Sequence, residues 1–228
     1  MIKIGHRGAP QEFPANTMKS FQRAIELGCD MVECDIRISC DGILVLAHDE
    51  VVKDVAGNIL EITASPFNAL SCLDLGAGEG VPALQELVDW AVNRCSVMAD
   101  MKCEGGGLER KVVEALSKLP SSQKIVPGAE KRSRDVFRKY DPDIPLSLSL
   151  NSFDMDEAEF NVILDNLDTK AVTWHHSLLT ELRVKELRLR NIKVYAWTVD
   201  DISVMIQLQQ FGVDGIISNR PELFGRLK

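Results

Sequence analysis

Residues 31–49 read MVECDIRISCDGILVLAHD. The first eight form a strand-type run of apolar and β-branched residues, interrupted by Glu33 and Asp35. Strands buried on both faces read as nearly continuous apolar runs, the pattern of a parallel sheet covered by helices. Residues two apart on a strand project from the same face, so the two carboxylates point the same way. Asp41-Gly42 then separates this run from a second one, ILVLA at 43–47. Asp-Gly between strand-type runs signals a two-residue hairpin turn. Such a turn would pair Cys40 with Ile43 and therefore Asp35 with His48. The returning run is expected to be an extra strand that brings a histidine beside the carboxylates.

Working outward, the same motif recurs along the chain: an apolar run that ends in a polar cluster. MIKIG (1–5) ends in His6-Arg7, and SVMA (96–99) ends in Asp100 and Lys102. Strand-type runs fall at 2–6, 31–38, 96–101, 123–126, 145–150, 169–174, 192–198 and 213–217. Helix-type segments follow at 16–27, 83–93, 108–118, 131–139, 154–165, 178–190, 201–211 and 221–227. Eight strands, each followed by a helix, predict a single closed parallel (β/α)8 barrel spanning 1–228, with the hairpin extension after strand 2. Asn16 and Asp200 sit where helix N-caps are expected, Pro82 at a first-turn position, and Gly28 where a helix should stop. The least regular stretch, 49–82, reads as a short insertion above the mouth of the barrel.

Charge and composition narrow the function. Formal net charge is −8, which argues against nucleic acid as a partner. No run of about 18 apolar residues is present, so no transmembrane segment is expected. No export signal opens the chain, and its six cysteines form no CxxC pair. They read as reduced thiols in a cytoplasmic protein. The sequence sets no oligomeric state.

The polar clusters carry the chemistry. Glu33 and Asp35 on one face repel unless a positive charge lies between them. A divalent metal held by hard oxygen ligands (Mg²⁺, Ca²⁺ or Mn²⁺) is one solution, and an edge with salt bridges is the other. Asp100 and Lys102 repeat the spacing on the neighbouring barrel strand. They supply either a third ligand with an anion-binding cation, or a buried ion pair. His6 and His48 offer proton transfer near neutral pH, and Arg7 offers forked recognition of phosphate oxygens. His175 reads as a wall residue, and Trp197 as core packing or a substrate-facing aromatic. Two histidines, three carboxylates and two cations at strand ends form the inventory for metal-assisted cleavage of a phosphate ester.

Those residues make the chain resemble the glycerophosphodiester phosphodiesterase family, among the phospholipase-C-like phosphodiesterase barrels. HRGAP at 6–10, PANT at 14–17, ECDIRISCDGILVLAHD at 33–49, DMK at 100–102, YAWTVD at 195–200 and GVDGIISNRP at 212–221 carry the likeness. The resemblance implies a TIM barrel, a bound Mg²⁺ or Ca²⁺, and hydrolysis of a small-molecule glycerophosphodiester to glycerol 3-phosphate and an alcohol. By position, Glu33, Asp35 and Asp100 would hold the metal. His6 and His48 would be the acid–base pair, Arg7 and Lys102 would bind phosphate, and Trp197 would line the glycerol side. Three departures stand out. Ala15 replaces a glutamate, Asp100 is one methylene shorter than the usual glutamate, and Asp54 falls where an Arg-Thr segment often follows. They leave two alternatives: a barrel acting on another phosphodiester or phospholipid, and a non-catalytic binder of a phosphorylated metabolite. An unrelated isomerase or aldolase barrel would not need the three carboxylates.

Overall fold

A computed structural model describes residues 1–150 and 155–227. Eight parallel strands close on themselves: β1 (Ile2–His6), β2 (Met31–Ile38), β6 (Ser96–Met101), β7 (Lys124–Pro127), β8 (Leu146–Leu150), β9 (Ala171–His175), β10 (Lys193–Trp197) and β11 (Gly215–Ser218). β1 pairs with both β2 and β11, which completes the TIM barrel. The antiparallel β3 (Leu44–Leu46) attaches to β2, and a separate ribbon pairs β4 (Val51–Lys53) with β5 (Ile59–Glu61). The helices are α1 (Met18–Glu26), α2 (Phe67–Ser71), α3 (Leu84–Ala91), α4 (Leu108–Leu116), α5 (Lys131–Tyr140), α6 (Glu157–Asp165), α7 (Glu181–Leu189) and α8 (Ile202–Phe211). None of the described helices is long and apolar enough to cross a membrane.

The barrel interior follows the period of two along each strand. Ile4, Met31, Met98, Ile125, Ala171, Tyr195 and Ile217 meet in an apolar plug inside the barrel. Two residues further on, the same strands carry His6, Glu33, Asp100, Pro127, Thr173, Trp197 and Asn219. Inward-facing residues thus stack in layers, apolar below and polar at the carboxyl-terminal mouth. The opposite faces of the strands bury Val32, Cys34, Val97, Val172 and Ala196 against Phe21, Leu87, Phe160 and other helix residues.

Several sequence expectations change in detail. The β2–β3 register pairs Ile36 with Leu46 and Ile38 with Leu44. Asp35 therefore lies opposite Ala47, whose N–H donates to the Asp35 carbonyl at 3.0 Å, and not opposite His48. The cause is the turn. Gly42 has φ +82 while Asp41 does not have positive φ, so a type I′ turn does not form. Ser39 and Ile43 close a three-residue loop instead, and Asp41 spends its carboxylate on Ser39 Oγ and the Phe67 N–H. One residue in the loop shifts the register by one.

Helix ends shift for similar local reasons. Thr17, not Asn16, caps α1 by accepting from Ser20 N–H. Asp201, not Asp200, caps α8. Ala83 is the N-cap of α3, which places Pro82 one residue outside the first turn. Residues 221–226 form a 3-10 turn rather than an α-helix. The start of the expected 154–165 helix lies outside the described residues; the described helix begins at Glu157, capped by Asp156. The 49–82 stretch holds the β4–β5 ribbon and α2, with Val45, Ile62, Leu70 and Val81 in a small core of its own. Asp54, one of the departures, ties the ribbon's turn by accepting from the N–H and side-chain amide of Asn58, both at 2.7 Å.

Candidate active site

Strand register assembles the site. His6 is level with Glu33 in the β1–β2 pair, and Asp35 is level with Asp100 in the β2–β6 pair. Ligand atoms of Glu33, Asp35 and Asp100 all lie within 4.8 Å of one another. The cavity above them, of about 520 Å³, is lined by His6, Arg7, Glu33, His48, Asp100, Lys102 and Trp197, with Gly128, Ser149 and Thr173 across from the charged side. Asp35 is fully buried beneath it. All eight residues singled out from sequence thus converge on one mouth. His48 arrives from the end of the hairpin rather than through the strand ladder, with its Nδ1 2.8 Å from Asp49 Oδ1. His175, at the end of β9, lies edge-on to Trp197 at 5.4 Å between ring centres and is not among the residues that line the cavity.

A sharp turn after β1 makes this possible. Arg7 adopts φ +57 and Gly8 φ +90, and a Cβ on Gly8 would run into Ser20. The turn lets the Arg7 N–H donate to Glu33 Oε2 (3.0 Å) and brings its guanidinium into an ion pair with Asp35, Nε 2.9 Å from Oδ2. Lys102 Nζ bridges Asp35 Oδ1 at 2.9 Å and Asp100 Oδ2 at 2.6 Å.

These charges interact strongly because water is scarce. Burial, reinforced by Asp35 and Asp100, pushes the Glu33 carboxyl well above the usual range. Burial likewise raises Asp100. Burial opposes ionisation of Asp35 too, but Lys102, Arg7 and Asn16 outweigh it and hold this carboxyl below its ordinary value. Burial also opposes charge on Lys102, yet Asp100 and Asp35 keep its pKa above normal. Burial, followed by the Arg7 charge, lowers His6 to about 4. Three carboxylates thus share two cations, and two of the three resist ionisation. A clustered set of hard oxygen donors with surplus negative charge suits a divalent cation.

Two supporting residues escaped the sequence reading. Asn16 has φ +61, is buried, and grips Asp35 twice: its Nδ2 donates to Asp35 Oδ2 at 2.8 Å and its Oδ1 accepts from Asp35 N–H at 3.1 Å. The neighbouring Ala15 is exposed, so the support for Asp35 comes from Asn16. Asn219 Oδ1 lies 2.7 Å from His6 Nδ1. Its signal was available, since it stands two residues past Ile217 in the inward layer. At the short carboxylate, Gly128 (φ +78) leaves room that a Cβ would take, 2.9 Å from Asp100 Oδ1.

Residues 6–223 match the Glycerophosphoryl diester phosphodiesterase family. A glycerophosphodiester phosphodiesterase of Caldanaerobacter subterraneus is 26% identical, with 97% of this chain and 95% of that protein aligned. One from Bacillus subtilis is 23% identical over 100% of this chain and 86% of its own length. Among solved structures, an Oleispira antarctica phosphodiesterase superposes with a TM-score of 0.86 at 24% identity, covering 99% of this chain and 96% of that one.

Proposed function

The chain belongs to the glycerophosphoryl diester phosphodiesterase family, and from that premise we propose that it hydrolyses a glycerophosphodiester to glycerol 3-phosphate and an alcohol. The observation that carries this reading is the convergence of His6, His48, Arg7, Lys102 and three carboxylates on one cavity. Binding a phosphorylated metabolite needs the cations alone; two histidines lining the same cavity offer groups for proton transfer. The Oleispira structure was determined with sn-glycerol 3-phosphate, which supports the same product here.

Glu33, Asp35 and Asp100 would hold a divalent cation, Mg²⁺, Ca²⁺ or Mn²⁺, which supplies Lewis-acid neutralisation of phosphate charge. Arg7 and Lys102 add fixed positive charge beside the phosphoryl oxygens and orient the ester. His6 is the base. Its low pKa leaves the ring neutral at pH 7, and Nε2 faces the cavity. It takes the proton from the substrate's 2-hydroxyl, whose oxygen attacks phosphorus. The bond from phosphorus to the leaving oxygen breaks, and His48 Nε2 delivers a proton to that oxygen. Water then opens the cyclic phosphate with the two histidines in exchanged roles: His48 accepts the proton from water, and His6 returns one to the 2-oxygen. Trp197 donates its indole N–H to the Thr173 carbonyl at 2.8 Å, which fixes its ring as a wall for the glycerol moiety. The six free cysteines accord with a cytoplasmic setting.

A second reading has its own observation. Val51, Val55 and Ile59 are 49%, 67% and 61% exposed on the β4–β5 ribbon, and Val51 shares a groove with His48. A rim of this kind suits a diester that carries an acyl chain. The deciding assay is release of the alcohol from a panel of glycerophosphodiesters and lysophospholipids, with glycerol 3-phosphate or its acylated form identified as the other product, with each metal and with EDTA. Metal-dependent release from head-group diesters supports the first reading, and preference for lysophospholipids supports the second. No release under any condition from folded protein overturns both.

A further inference from the structure

His6 is held from behind. Asn219, at the end of β11, places Oδ1 2.7 Å from His6 Nδ1 and Nδ2 2.8 Å from Asp200 Oδ2. Asp200, beyond the end of β10, is itself fixed: its Oδ1 accepts from Ser218 Oγ at 2.9 Å and from Asn219 N–H at 2.8 Å. A carboxylate only accepts hydrogen bonds, so the Asn219 amide must turn its NH₂ to Asp200 and its carbonyl to His6. A carbonyl also only accepts, so His6 Nδ1 must carry the proton. That leaves the lone pair on Nε2, which faces the cavity 3.8 Å from Glu33 Oε2.

The neighbouring residues separate this arrangement from ordinary helix capping. Asp201 takes the capping duty for α8 through Ser203 N–H and Val204 N–H, which leaves Asp200 for Asn219. An amide suits position 219 better than a carboxylate. An aspartate there would face Asp200 at hydrogen-bond distance, charge against charge. With the amide flipped, its carbonyl would face the Asp200 carboxylate and its NH₂ would face Nδ1, which costs a part-buried hydrogen bond at each end.

We propose that Asp200 and Asn219 are positioning residues that lock His6 in its Nδ1–H tautomer and so present an unprotonated Nε2 to the substrate. The kinetic consequence rests on the function proposed above; the tautomer does not. The wrong tautomer aims an N–H where a lone pair is required, a defect that acts on the chemical step rather than on binding.

The test combines both readouts on the full chain. Long-range ¹H–¹⁵N correlation of histidine-labelled protein gives the His6 tautomer, assigned by the signals that vanish in His6→Gln. Wild type should show Nδ1–H. Asn219→Ala and Asp200→Asn should show the Nε2–H form or a mixture. In Asn219→Ala, kcat for glycerol 3-phosphate release should fall about 10–100-fold, the usual size of such supporting contacts, with KM little changed. Asn219→Asp should recover part of kcat, because a carboxylate still accepts from Nδ1–H. A wild-type Nε2–H tautomer overturns the proposal. So does Asn219→Ala or Asp200→Asn that keeps Nδ1–H. A tautomer that shifts as expected in protein that releases no glycerol 3-phosphate sustains the positioning pair and sinks the proposed reaction instead.

Discussion

Two charged clusters in this molecule behave oppositely. At the barrel mouth, Glu33, Asp35 and Asp100 share Arg7 and Lys102. On the flank, the single carboxylate of Asp168 holds both Arg134, at 2.8 Å, and Arg138, at 3.3 Å. The flank is satisfied: Arg138 also donates to the Asp168 carbonyl and Arg134 to that of Ala129. Partial burial opposes ionisation of Asp168, but the two arginines prevail and hold it below the ordinary value. At the mouth, burial and mutual repulsion win at Glu33 and Asp100. A cluster built for stability pairs its charges, whereas a cluster built for function carries a surplus that a ligand can relieve.

The contrast can be broken most forcefully at the histidines. His6→Ala and His48→Ala should each lower turnover by roughly 10²–10⁴-fold while leaving the melting temperature near wild type. Near-normal activity in either variant removes that histidine from the mechanism. Next comes the surplus itself. Glu33→Gln should weaken divalent-cation binding, read by calorimetry, by at least roughly 10–100-fold. The same change should stabilise the metal-free protein at neutral pH by about 0.5–2 kcal/mol. The sign follows from linkage: a carboxyl raised on folding favours the protonated state, so folded stability falls as pH climbs above its unfolded value, and a permanently neutral glutamine escapes that loss. A destabilised metal-free Glu33→Gln would contradict the surplus-charge account.

The flank should respond in the reverse way. Asp168→Ala should cost about 1–3 kcal/mol in urea unfolding, because the mostly buried Arg134 loses its partner, while kcat per folded molecule stays at the wild-type value. The smallest effect is its pH dependence. A carboxyl lowered on folding stabilises the protein above its unfolded pKa of about 3.9, and that contribution disappears as pH falls through the lower folded value. The stability gap between wild type and Asp168→Asn should therefore narrow as the medium is acidified from about pH 5 towards pH 2.

Much of the site was legible because it obeys the strand period. His6, Glu33, Asp35, Asp100, Lys102 and Trp197 stand at inward steps of two, and the first five follow the adjacent strands β1, β2 and β6 in chain order. His48 lines the cavity, but not by the pairing the sequence predicted. The sequence offered Asp41-Gly42 as a two-residue turn, and the fold used three residues because Asp41 found partners in Ser39 and Phe67. Asn16 was read as a helix cap, since an asparagine before an amphipathic segment is the local signature of one. Thr17 filled that role, and Asn16 turned to Asp35.

The sequence alone determined the eight barrel strands and the helices between them, the polar layer at the strands' carboxyl ends and the types of group available for catalysis. Those are short-range properties: alternation along a strand, an apolar stripe along a helix, a residue type at a strand end. Only the tertiary structure decided which groups meet. The contact from His6 to Asn219 spans 213 positions and forms because β1 and β11 lie side by side in the closed barrel. The same closure buries Glu33 and Asp35 together; burial opposes ionisation of both, and the Lys102, Arg7 and Asn16 side chains gathered around Asp35 set which carboxyl keeps its proton. Desolvation depends on everything that surrounds a group, and no local pattern in the chain encodes it.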